Sequence, residues 1–179
     1  SSDIRYSQSL FLAGQGDSAI VLEYTGSGFV TSSYSGSVAS PYDTYGTLKY
    51  IPDTSDPGVS ASIYMPFFNK DWWSVQVNVD TNTPSATLFA ANEINGKIGF
   101  SGSNQVTSFD YSYWTDATKA FLNTGSDFTP LGAGGKYQPF SGSFQELRYW
   151  KVELSESKFF DYTVNPYSDE GNTLNSTPN

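Results

Sequence analysis

The chain has 179 residues, a formal net charge of −9, and neither cysteine nor histidine. Those two absences exclude Ser-His-Asp and Cys-His catalysis, zinc sites built on Cys or His, and histidine pH switches. The surplus of 18 acidic over 9 basic residues argues against nucleic acid and anionic membranes as partners.

Aromatic residues make up 17% of the chain, charged residues only 15%, and glycine occurs 16 times. This balance predicts an all-β domain with many turns rather than a helical or disordered chain. A chain this long can bury roughly 70% of its unfolded surface in one core. No apolar run approaches the ~20 residues that span a bilayer, so no membrane insertion is expected. Residues 1–168 read as one domain and 169–179 as a tail or linker, which suggests a piece of a longer protein.

The first strand is expected at residues 7–12, turning through Gly14 and Gly16 into a second at 19–24. There Ile20, Leu22 and Tyr24 share one face, and Ala19, Val21 and Glu23 the other. Short strands are expected near 29–34, within a Gly- and Ser-rich stretch. Residues 46–51 read as a strand and 52–58 as a loop. Residues 59–67 and 72–79 give the clearest alternation. Val59, Ala61, Ile63, Met65 and Phe67 oppose Ser60, Ser62, Tyr64 and Pro66, and Trp73, Val75, Val77 and Val79 oppose Trp72, Ser74, Gln76 and Asn78. Phe68-Asn69-Lys70-Asp71 reads as a hairpin connection between them.

A strand at 85–91 leads to Asn95-Gly96, a strong hairpin signal because both central positions of such a turn need positive φ. Strands at 97–100 and 106–114 follow, then a helical turn or short strand at 115–122 and a Gly- and Pro-rich loop at 123–138. Residues 140–152 read as a strand with an irregularity. Phe140 and Phe144 have one parity, while Leu147 and Tyr149 have the other, so either a bulge intervenes or both faces are covered. Ser155 is placed to cap a short helix, with Leu154 and Phe159 spaced as a hydrophobic staple and Pro166 marking its end. About a dozen short strands at regular spacing imply a two-sheet antiparallel jelly-roll sandwich with one short C-terminal helix.

The run Phe140-Ser-Gly142-Ser-Phe144-Gln-Glu146-Leu147-Arg148-Tyr149, followed by Leu154-Ser155-Glu156-Ser157, resembles the closing signature of concanavalin A-like lectins and glucanases. Within that superfamily it is similar to the laminin G-like and pentraxin-like jelly rolls. Trp73-Ser-Val75-Gln-Val77-Asn-Val79 and Gly96-Lys97-Ile98-Gly99-Phe100 resemble two further strands of the family. The wording around Tyr162, Asn165-Pro166-Tyr167-Ser168 and Gly171-Asn172 is similar to such domains in structural and fibre proteins of phages and large DNA viruses. The resemblance implies a lectin-like module of a virion surface or other extracellular assembly.

Relatives of this fold include glucanases, whose paired carboxylates alternate along one strand, about 5 Å apart in retaining enzymes. No such run occurs here. Asp169 and Glu170 are adjacent, and Glu146 and Glu153 are seven apart, so no enzyme is expected. Glu146 and Arg148 share a strand parity and read either as a ligand-facing pair or as a structural ion pair. Gly14-Gln-Gly16-Asp-Ser-Ala19 has the letters of a dinucleotide fingerprint, but a strand follows it where the fingerprint needs a helix. Gly132-Ala-Gly134-Gly135-Lys136-Tyr137 lacks the first glycine and the Ser/Thr of a phosphate loop.

The resemblance also makes calcium a possible cofactor, held by rim-loop oxygens. Asp43, Asp53, Asp56, Asp80, Asp110 and Asp116 are the candidates, and solvated turn-forming aspartates are the competing reading. Sugar binding needs exposed aromatics that stack on the ring, and Trp72, Trp114, Tyr42 and Tyr45 are the candidates. The alternative for each is packing beneath a loop or at a subunit contact. The expected function is therefore non-enzymatic adhesion or decoration, with a glycan or neighbouring structural subunits as partners in a larger homo-oligomeric assembly. A purely structural subunit-interaction domain and a divergent glycoside hydrolase are the alternatives.

Overall fold

The computed structural model describes residues 5–13, 18–25, 44–80, 82–110, 120–122, 138–140 and 142–167. Among them nine strands and one helix are formed: β1 (Arg5–Ala13), β2 (Ser18–Thr25), β3 (Gly46–Ile51), β4 (Ala61–Met65), β5 (Trp73–Asp80), β6 (Ser85–Ile94), β7 (Lys97–Thr107), β8 (Ala120–Leu122), β9 (Gln138–Pro139) and α1 (Glu156–Val164). The strands make two sheets, so the all-β sandwich expected from alternation and turn spacing is present. One sheet has the order β4-β3-β2-β1-β8, with β9 beside β1, and the other the order β5-β6-β7. All pairings are antiparallel except the short parallel contact of β9 with β1.

Period-2 alternation aims one side-chain set of each strand into the space between the sheets. From the larger sheet come Leu22, Leu48, Tyr50, Ala61, Ile63 and Met65. The smaller sheet supplies Ala86, Leu88, Ala90 and Val106, with Trp73, Val75, Val77 and Val79 packed against them. Tyr50 and Leu88 are fully buried. Facing layers of this kind exclude water from apolar surface, which contributes about 25 cal/mol per Å². Val21, Ala19 and Ile51 form a second small buried cluster on the other face of the larger sheet, as the parity of Ala19 and Val21 implies.

Two seams join the sheets. At one, the Asn104 Nδ2 donates to the Ser62 carbonyl at 2.7 Å, tying β7 to the edge strand β4. Gly102 eases this approach. A Cβ there would lie 3.2 Å from the Ile63 Cγ2, so a larger residue would push the Ile63 side chain aside by a few tenths of an ångström. At the other, the chain crosses from β4 to β5 through residues 66–72. The two strands belong to different sheets, so Phe68-Asn69-Lys70-Asp71 is a corner and not the hairpin its length suggested.

Other boundaries also moved. The strand expected at 97–100 runs on to Thr107 as β7, a bulge opposite Asn92 absorbing the irregularity. Of the strand expected at 106–114, residues 106 and 107 belong to β7, residues 108–110 are not strand, and 111–114 lie outside the described residues. Of the ambiguous 115–122 segment, Ala120–Leu122 is strand. The strands expected near 29–34 lie outside the described residues.

The largest correction concerns residues 140–152. Strand pairing ends at Pro139, and residues 142–150 form no ladder with either sheet. Side chains anchor this ribbon instead. Phe140 packs on the main core and its ring lies 5.2 Å from that of Phe144. Arg148 holds Glu146 through Nε at 2.8 Å and Nη2 at 3.1 Å, and Nη2 also donates to the Pro166 carbonyl. The two side chains form an ion pair. Trp150 and Tyr162 have ring centroids 5.6 Å apart.

The helix α1 then docks on the outer face of the smaller sheet, where Phe159 meets Phe89 and Ala91. Ser155 caps it, its hydroxyl accepting from the Lys158 N–H at 3.4 Å. Leu154 and Phe159 are both buried, as a staple requires. The buried Asn78 donates to the Leu154 carbonyl at 2.7 Å, fixing where the helix begins.

Candidate ligand-binding rim

One end of the sandwich gathers aromatic rings, of which Tyr64 is exposed. β3 begins and β4 ends there, with Gly46 paired to Met65. Tyr45 immediately precedes β3, and Tyr64 is the penultimate residue of β4. Their ring centroids lie 5.2 Å apart at an interplanar angle of 41°. Tyr64 is 59% exposed, because its parity turns it away from the core that holds Ile63 and Met65. On the same face the Lys49 Nζ lies 2.6 Å from the Glu23 Oε2. A pair of aromatic rings is thus bordered by a fixed pair of charges.

The corner of residues 66–72 leaves from this same end. Its Phe68 N–H donates to the Thr44 carbonyl at 2.8 Å, next to Tyr45. The Phe68 ring lies edge-on to Tyr24, with centroids 5.5 Å apart. Gly46 lies beneath Phe68, and a Cβ there would also come 2.9 Å from the Glu23 carbonyl. The corner is held by its own side chains. The Asp71 N–H donates to the Asn69 Oδ1 at 3.0 Å, and the Asn69 Nδ2 returns a bond to the Asp71 Oδ2 at 2.7 Å. Between them Lys70 adopts φ 70°, a conformation such a turn imposes and an L-residue resists.

The corner is also clamped to β6. The Trp73 Nε1 donates to the Asn69 Oδ1 at 3.2 Å, and the Asn92 Nδ2 to the Asp71 Oδ2 at 3.4 Å. Asn92 is fully buried, and its Oδ1 accepts from the Phe100 N–H at 2.7 Å. That bond satisfies the amide freed by the β7 bulge. Gly99 faces the same side chain, where a Cβ would come 2.9 Å from the Asn92 Oδ1. Trp73 packs against Phe67 at 4.6 Å and Phe100 at 6.3 Å. A well-anchored corner therefore presents Trp72, which is 60% exposed.

Of the four aromatics expected to bind sugar, Tyr45 forms the ring pair with Tyr64 and Trp72 is exposed on the corner, while Trp114 and Tyr42 lie outside the described residues. Trp72 precedes β5, so its exposure comes from the corner and not from strand parity. Tyr64 was missed. It stands on the polar side of the clearest alternating strand, and an aromatic at such a position was a readable signal. Phe100, 41% exposed, was likewise counted only as strand pattern.

Two of the candidate calcium ligands have local tasks. The Asp53 Oδ1 accepts from the Ser55 N–H at 2.8 Å, and the Asp80 Oδ1 from the Asn82 N–H at 2.8 Å. Both are Asx turns. Asp43 and Asp116 lie outside the described residues. Among the described residues no three acidic side chains gather closely enough to hold a metal ion, and no helix is long and apolar enough to cross a membrane.

The exposed ring of Tyr64, 5.2 Å from that of Tyr45, can stack against the apolar face of a ring-shaped ligand. The corner network fixes Trp72 beforehand, which lowers the ordering cost of binding. Neither a family model, nor a curated protein, nor a solved structure matches the chain.

Proposed function

We propose that this protein is a non-enzymatic, lectin-like adhesion or decoration module that binds a glycan at the rim formed by Tyr45, Tyr64 and Trp72. The observation that carries the reading is the pairing of the half-buried Tyr45 ring with the exposed Tyr64 ring, where β3 begins and β4 ends. Sugar rings offer a flat apolar face with hydroxyls at the perimeter, and aromatic faces bordered by polar groups complement them. The resemblance to concanavalin A-like domains of viral structural proteins agrees with this reading and suggests a place on a virion surface or another extracellular assembly.

The test is a glycan array probed with and without calcium, using the parent chain, Tyr64→Ala and Trp72→Ala. Binding of a defined glycan class by the parent and its loss in both variants is the expected result. A parent that binds nothing, or variants that bind as the parent does, would sink the proposal.

A second reading, docking against a neighbouring structural subunit, is favoured by a different surface. Leu147, Tyr149 and Val152 on the unpaired ribbon are 64%, 85% and 70% exposed. Apolar groups at this density mark contact surfaces. Sedimentation of the parent and of Tyr149→Ser across a concentration series tests it. Monomers of both at every concentration would remove self-association through the ribbon.

A further inference from the structure

We propose that Asn95 is a site of spontaneous covalent modification, in which its carboxamide is converted to aspartyl and isoaspartyl forms with the Glu93 carboxylate as base. Asn95 and Gly96 form the two-residue turn between β6 and β7, with φ 56° and 78°. Both are exposed. The Asn95 carboxamide makes no hydrogen bond among the described residues, whereas Asn69, Asn78, Asn92 and Asn104 are all engaged through theirs. Its side chain is therefore free to swing onto its own backbone.

The nucleophile in this reaction is the backbone nitrogen of the next residue. Gly96 leaves that nitrogen unobstructed, since a Cβ there would find nothing within 4 Å. The Gly96 N–H donates to the Glu93 Oε1. The proton that must leave is thus already directed at a carboxylate, which is the placement a general base requires.

The Gly96 nitrogen forms a bond to the Asn95 Cγ as its proton passes to Glu93. The Cγ–nitrogen bond of the carboxamide breaks, and ammonia departs with that proton returned to it. Water then opens the resulting cyclic imide. Opening at Cγ gives aspartate. Opening at the α-carbonyl gives isoaspartate, which routes the chain through the side chain and lengthens the turn. Either product adds one negative charge to a chain already at −9.

The experiment incubates the whole chain at neutral pH for weeks and follows each asparagine by peptide mass mapping, with an isoaspartyl-specific methylation assay. Asn82 and Asn104, both exposed and followed by Thr83 and Gln105, serve as internal clocks. Conversion at Asn95 well ahead of both is expected, and several-fold slower conversion in Glu93→Gln. Equal rates at Asn95, Asn82 and Asn104 would overturn the site. A Glu93→Gln chain that converts as fast as the parent would overturn the role of Glu93.

Discussion

The Arg148 guanidinium carbon lies 4.6 Å from the centroid of the Tyr162 ring. The same guanidinium grips Glu146 and donates to the Pro166 carbonyl just past α1. One side chain therefore fastens the unpaired ribbon to both the face and the end of the helix. Arg148→Ala is expected to cost about 2–3 kcal/mol, from lost charge-assisted hydrogen bonds and the cation–ring contact. Arg148→Lys should recover little of it, because an ammonium cannot fork. Urea denaturation of the three chains measures this.

Tyr162 gives the opposite sign. Its hydroxyl is buried and has no hydrogen-bond partner among the described residues, while its ring serves Arg148 and Trp150. Tyr162→Phe keeps the ring and removes a polar group that loses its water on folding. Stability should stay level or rise by up to about 1 kcal/mol. A clear loss would mean that the hydroxyl has a partner.

Asn92→Leu keeps the branching at Cγ but is larger, leaves the Phe100 N–H without its acceptor, and removes one of the two side-chain donors to the Asp71 Oδ2. A loss of about 1–3 kcal/mol is expected. The denaturant slope should not change, since the surface exposed on unfolding is the same.

At the helix start, Ser155→Ala removes the side-chain acceptor for Lys158. The bond is long, so the cost should fall at the low end for a cap, about 0.5–1 kcal/mol. For a chain of this size that is about 1–4 °C in melting temperature by calorimetry.

Tyr64→Ala and Trp72→Ala should separate binding from folding. Both rings are mostly in water, so stability should change by no more than about 0.5 kcal/mol. Binding to an array-identified glycan should weaken about tenfold or more, or 1.4 kcal/mol, when titrated by calorimetry.

Much of the fold is legible in the residues because its signals are local. The strand Gly46–Ile51 has the expected bounds. The two faces of β2 follow from Ile20, Leu22 and Tyr24 against Ala19 and Val21, and Ser155 and Pro166 mark the ends of α1. Asn95-Gly96 makes the expected turn because only the local backbone requirement matters there. Residues 140–152 show where such signals fail. Phe140, Phe144, Leu147 and Tyr149 are strand-like residues, but a strand also needs an edge to pair with. Here Arg148, Trp150 and Phe140 fix the ribbon through side chains.

From its residues alone, this chain is acidic, all-β, two-sheeted and without histidine or cysteine chemistry, with one capped helix near its end. Those properties follow from composition and from contacts within a few residues. Tertiary structure decided which strands are neighbours. It sent residues 66–72 across from one sheet to the other, leaving Trp72 exposed on that corner, and it set Tyr64 beside Tyr45. Alternation tells a side chain which face it shares, but not which distant strand will lie next to it. The Tyr45–Tyr64 pair therefore emerges only when β3 and β4 pair.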